Sequence, residues 1–164
     1  MALVVLTSSL IGCGGRTHTQ EEGCYALSPV RPSGIIRDEC QLLADAAAIL
    51  GARLTRSGNV VEVDFRFSSP SVGELLDVSM AGAFSYSEEA FSADGTASNV
   101  LLPIGGQACQ LQLVDVHLDA TTNTPTRFSG EIRITTSTPR PETCVCQAWF
   151  EYQAELSNTP NVCP

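Results

Sequence analysis

The chain has 164 residues, with nine arginines, no lysine and 18 acidic side chains, for a formal net charge of −9. That balance argues against nucleic acid and anionic membrane surfaces as partners. The length suits one domain that can bury a core without depending on disulfides. Abundant Ser, Thr, Val and Gly lean toward sheet, and no apolar segment approaches the ~20 residues a membrane-spanning helix needs.

The first element is the apolar run Leu3-Val4-Val5-Leu6-Thr7-Ser8-Ser9-Leu10, closed by Leu10-Ile11-Gly12-Cys13. It has the length of the apolar region of a secretory signal, roughly 7–15 residues. The closing tetrapeptide resembles the lipobox of bacterial lipoproteins. The resemblance implies that the small Gly12 admits the signal peptidase, that the Cys13 thiol is thioether-linked to a diacylglyceryl group, and that cleavage removes Met1 to Gly12. Gly14 after the cysteine, rather than Asp, implies sorting to the outer membrane in preference to the inner. The expected organisation is a signal peptide over 1–12, a lipidated cysteine and flexible tether over 13–22 in which His18 is solvated, and one disulfide-stabilised β domain over 23–164.

Seven cysteines are present. Setting Cys13 aside leaves Cys24, Cys40, Cys109, Cys144, Cys146 and Cys163, an even number suited to three disulfides in an oxidising compartment. Their connectivity is not readable from sequence.

Gly23 to Gly34, with Pro29 and Pro32, reads as irregular chain pinned by a disulfide. Ile36 to Leu50 is the one helical candidate, because Ile36, Cys40, Leu43, Ala47 and Leu50 recur three or four apart and Gly51 suits a C-terminal cap. The period then becomes two. Ala52 to Arg56 and Val60 to Phe67 flank the turn triplet Ser57-Gly58-Asn59, a hairpin signature. Leu76, Val78, Met80, Phe84 and Tyr86 repeat the alternation. Asp94-Gly95 reads as a turn, followed by extended chain from Thr96 to Leu102 and a break at Pro103 to Gly106.

Cys109 to Leu118 reads as a strand whose phase slips, since Leu111 and Leu113 share one face while Val114, Val116 and Leu118 share the other. A bulge near Leu113 or burial on both faces would account for it. Ala120 to Arg127 reads as a loop, Phe128 to Thr136 as a strand, and Ser137 to Thr143 as a second loop. Cys144 to Leu156 alternates throughout, with Cys144, Cys146, Ala148, Phe150, Tyr152, Ala154 and Leu156 on one face. Two cysteines one strand step apart are poorly placed to bridge each other, so two different partners are expected. The fold class expected is all-β: an antiparallel sandwich or up-and-down barrel of about seven strands, with one short N-terminal helix.

Few residues carry chemistry. Asp115, His117 and Asp119 alternate, which places carboxylates and imidazole on one strand face, where they could hold a divalent metal. The plainer reading, a solvated strand end, is preferred, because zinc and calcium sites need converging ligands in defined geometry. Cys144-Val145-Cys146 lacks the two-residue spacing of redox pairs and reads as structural disulfides. Trp149 lies on the polar face of its strand, where an indole can anchor a partner or a sugar ring. Glu88-Glu89 reads as a solvated pair. No Gly-x-Ser-x-Gly elbow, His-Glu-x-x-His or phosphate-cradling glycine loop appears, and no cofactor motif is found.

The expectation is a cell-envelope lipoprotein whose membrane partner is reached through Cys13. Its β domain acts without catalysis on an unidentified envelope protein, glycan or lipid. The rivals are a lipid or small-molecule carrier with a barrel cavity, and a small envelope enzyme centred on Asp115 and His117.

Overall fold

Inward-facing apolar side chains recur at every second residue along strand after strand, and antiparallel pairing closes these strands into a ring. The computed structural model describes residues 18–44, 47–69, 73–85, 89–137, 144–159 and 162–163. The lipobox with Cys13, Tyr86, Glu88 and most of the loop expected over 137–143 lie outside the described residues. The strands are β1 (Gly23–Pro29), β2 (Ile35–Asp38), β3 (Ile49–Ser57), β4 (Val60–Ser69), β5 (Gly73–Phe84), β6 (Ala90–Ile104), β7 (Gln107–Thr124), β8 (Arg127–Ser137) and β9 (Gln147–Leu156). Their order is β1-β3-β4-β5-β6-β7-β8-β9, and β9 pairs back with β1, so eight antiparallel strands form a closed barrel. The extra strand, β2, continues the line of β1 along β9: Pro29 lies opposite Tyr152 and Ile35 opposite Phe150. The fold is therefore a barrel of eight strands plus one, not a sandwich of seven.

Among the described residues of Ile36 to Leu50 the expected helix is absent. Ile35–Asp38 is strand on β9 and Ile49–Ser57 is strand on β4. Between them the Asp38 carboxylate accepts hydrogen bonds from the backbone of Leu42 and Leu43 at 2.9 and 3.0 Å. Cys40, Leu42 and Leu43 point into the core. Pairing at both ends outweighs the helical propensity of the alanine run, since tertiary context overrides so small a preference. Gly51 is not a cap: a Cβ there would meet the Val162 carbonyl oxygen, because the C-terminal tail crosses over it.

Three further expectations are corrected. Gly23–Pro29 is a strand, not irregular chain. Asp94-Gly95 lies inside β6, and Gly95 faces the interior where a Cβ would meet Met80, Val78 and the Ser79 carbonyl oxygen. The loop expected from Ala120 shrinks to Pro125-Thr126, because β7 continues to Thr124 opposite β8. The hairpin around Gly58-Asn59 stands as expected, while β9 begins at Gln147 and not at Cys144.

The phase slip in β7 is real. Leu111 and Val114 are both buried while Gln112 and Leu113 face outward. Opposite them in β6, Asn99 takes a left-handed conformation, φ 57°, and the inward set changes from Phe91 and Ala93 to Leu102 and Ile104. Both strands of the hairpin thus exchange faces at one level. Beyond it, Leu102, Ile104, Cys109 and Leu111 join the same buried cluster as the barrel interior, capping one end. Cys109–Cys144 and Cys40–Cys146 staple this end, and Cys24–Cys163 ties the C-terminal tail to β1. Cys144 and Cys146 thus bridge to different partners.

The opposite end is covered by residues expected to be tether. His18 is only 6% exposed and Gln20 is fully buried. The Gln20 amide donates to the Tyr25 hydroxyl at 2.7 Å and to the Pro125 carbonyl at 2.9 Å, and the Tyr25 hydroxyl donates to the Glu21 carbonyl at 2.6 Å. A solvated His18 is therefore corrected.

Candidate functional site

Because the core face of each strand is filled with apolar side chains, the polar chemistry lies on the outer wall. Strand register sets it in rows. One row crosses β6, β7, β8, β9 and β2 as Asp94, His117, Arg133, Trp149 and Arg37, each opposite the next. The row beside it holds Ser92, Asp119, Glu131 and Glu151, and the row on the other side Thr96, Asp115, Thr135 and Gln147.

His117 is held from both sides. Nδ1 lies 2.6 Å from Asp94 Oδ1 and Nε2 lies 3.1 Å from Asp119 Oδ2. Only the doubly protonated ring donates to both carboxylates at once. Partial burial pulls its pKa down, but the hydrogen bonds to Asp94 and Asp119 outweigh that, and the net shift is upward from 6.5. Asp119 stands beside His117 as the alternation predicts. Asp115, in the next row, is not among the imidazole's hydrogen-bond partners, and Asp94 takes that role instead. Among the described residues no group of three His, Cys, Asp or Glu side chains converges as a metal site.

Trp149 is fixed equally firmly. Its indole N–H donates to Glu131 Oε2 at 2.7 Å, and the Arg133 guanidinium lies 4.4 Å from the ring centroid, a cation–π distance. Glu131 also pairs with Arg133 at 3.5 Å. At the end of the row, Arg37 donates to Gln147 Oε1 at 3.1 Å. Open depressions flank the row. One is lined by Asp119, Glu131 and Arg133, the other by Asp94, Asp115, His117, Arg133 and Thr135, so Arg133 borders both.

Sequence reasoning singled out Trp149 and His117 but missed Asp94, Glu131 and Arg133. Asp94 was masked by the turn signal of Asp94-Gly95. Glu131 and Arg133 alternate with the inward Ile132 and Ile134, which shows that they face out but not which residues they meet. That pairing depends on registers set by the whole barrel.

Among the described residues most large apolar side chains face inward, with Ile49, Val60, Leu101 and Leu113 among the exposed exceptions, and the wall carries the charged ones, the reverse of the pattern in a barrel that spans lipid. Among the described residues no helix is long and apolar enough to cross a membrane. The fold and its wall define an eight-stranded antiparallel barrel with one cluster of buried side chains inside and a polar row on its outer face. No protein-family model, curated protein or solved structure matches the chain.

Proposed function

We propose that this chain is a lipid-anchored protein of the bacterial cell envelope, held at the outer membrane through Cys13. Its barrel is a non-catalytic binding module that meets its ligand on the outer face of β6–β9. One observation carries the binding half. Core side chains from Tyr25 through Phe65, Leu118 and Phe150 to Ala154 fill the interior as one cluster, so recognition falls to the wall. There Trp149 and Arg133 are held in place before any ligand arrives, and preorganised aromatic and arginine side chains are what binding surfaces use as anchors.

Support for the anchor comes from the lipobox and from the cysteines. Six of the seven pair with one another, and the one left over is Cys13. The rivals make other demands. A carrier needs an empty apolar cavity, and the inward side chains described in this barrel form one buried cluster. An enzyme built on His117 has to pass a proton through the imidazole, and here carboxylates engage both of its nitrogens. The ligand class is an envelope protein, glycan or lipid.

Two measurements test the reading. A Cys13→Ala variant expressed in a bacterial host is expected to leave the membrane fraction. In the isolated barrel, the Trp149 indole resonance and the side-chain signals of Arg133 and His117 are expected to move together on titration with cell-wall glycan strands or an envelope extract. Retention of Cys13→Ala in the membrane overturns the anchor. Shifts confined to another face of the barrel overturn the site.

A further inference from the structure

We propose that the lipidated protein stands end-on at the bilayer, with the barrel end covered by His18 to Glu22 facing the headgroups and the β6–β7 cap pointing away. The inference rests on the lipid-anchor reading and names the surface that meets the membrane.

The chain reaches the barrel over its end and is fastened there. His18 stacks on Phe84, and its Nε2 lies 3.1 Å from Asn59 Oδ1. Its carbonyl accepts a hydrogen bond from Arg56. The Glu21 amide donates to the Pro125 carbonyl at 2.8 Å, and Glu22 accepts from the Arg56 amide at 2.7 Å. These contacts tie the segment to the β3–β4 turn, the end of β5 and the β7–β8 turn, all at one end of the barrel.

Only Gly14 to Thr17 separate Cys13 from His18. Five Cα steps span at most about 17 Å. The 15 residues of β6, at ~3.3 Å each, run about 50 Å along the strand. A lipid on Cys13 therefore keeps the Gly58-Asn59 and Pro125-Thr126 turns near the headgroups and holds the Gly105-Gly106 tip of the cap away.

Charge opposes lying flat. The outer wall bears Glu62, Asp64, Asp77, Asp94, Asp115, Asp119, Glu131, Glu151 and Glu155 against Arg37, Arg53, Arg66, Arg127 and Arg133. An anionic headgroup layer repels such a wall over its whole length, whereas among the described residues the plugged end offers it only Glu21, Glu22 and Glu89 beside Arg56. The short reach from the fastened His18 to Cys13 makes the bilayer the occupant of the plugged end, and the row from Asp94 to Trp149 is left open at the side.

The test uses the full lipidated chain in bicelles of phosphatidylethanolamine and phosphatidylglycerol doped with a gadolinium-chelating lipid. The expected result is loss of the amide signals of Gly58, Asn59 and Thr126, with those of Gly105 and Gly106 retained. An insertion of about twelve Gly/Ser residues after Gly15, a flexible spacer, is expected to abolish that difference. Even loss at both ends, or loss at the cap, with an intact lipid adduct on Cys13 overturns the orientation alone. A difference that survives the longer tether overturns the tether as its cause. A chain without adduct that stays free of the bicelles overturns the anchor and the orientation together.

Discussion

The imidazole of His18 lies on the ring of Phe84, with centroids 4.3 Å apart and planes 17° from parallel. A residue that composition assigns to a tether is thus part of the barrel's closure. His18→Ala removes an aromatic contact worth ~0.5–1.5 kcal/mol and a hydrogen bond worth about as much. Urea denaturation should show a loss of about 1–3 kcal/mol, and an unchanged midpoint would mean that the segment is a passive spacer.

His117 should titrate above its ordinary 6.5 because Asp94 and Asp119 hold its charged form. A raised folded-state pKa gives stability that is full below the unfolded value, near pH 6.5, and is lost as pH rises through the folded value. The pair is solvent-facing, so the effect stays below about 1 kcal/mol. Ring-proton NMR across pH 5 to 9, values near the ordinary imidazole pKa, reads the shift directly. Asp94→Asn should bring the pKa down, and a value at or below 6.5 in the parent protein would contradict the geometry.

The Cys109–Cys144 bridge fastens the hairpin cap to the chain entering β9 across a separation of 35 residues. Replacing both cysteines by alanine should cost ~2–4 kcal/mol. Proteolysis should then open the Gly105-Gly106 tip before the barrel body. Cleavage elsewhere first would show that the cap holds without the bridge.

Gly130 sits where a Cβ would lie 1.9 Å from the Asp119 carbonyl oxygen, the same oxygen that accepts a hydrogen bond from the Tyr152 hydroxyl at 3.1 Å. Gly130→Ala must displace backbone and break that bond. A loss of about 2 kcal/mol or more is expected, in the range of overpacked cores. The His117 resonance should move as Asp119 shifts. A variant as stable as the parent would mean that β7 and β8 yield at this level without strain.

Much of the wall was legible because a strand's period of two is strict. Val61, Val63, Phe65 and Phe67 are buried as their alternation requires, and so are Ala148, Phe150, Tyr152 and Ala154. Even the slip at Leu113 was visible, though its cause was not, because the matching distortion at Asn99 lies on a neighbouring strand. What failed were segments whose state is decided by distant partners. Ile35–Asp38 became strand because β9 offered a free edge beyond β1. His18 and Gln20 were buried because the barrel end needed covering. Gly95 imitated a turn although it is the place where an interior Cβ finds no room. The row from Asp94 to Trp149 spans residues 55 positions apart in sequence, and only the closed register brings it together.

The intact mass of the protein purified from its native membrane, before and after reduction, tests the central claim most directly. The account predicts a chain that begins at Cys13, carries a diacylglyceryl adduct there, and gains six hydrogens when its three disulfides are reduced. A full-length, unmodified chain with free thiols would contradict it.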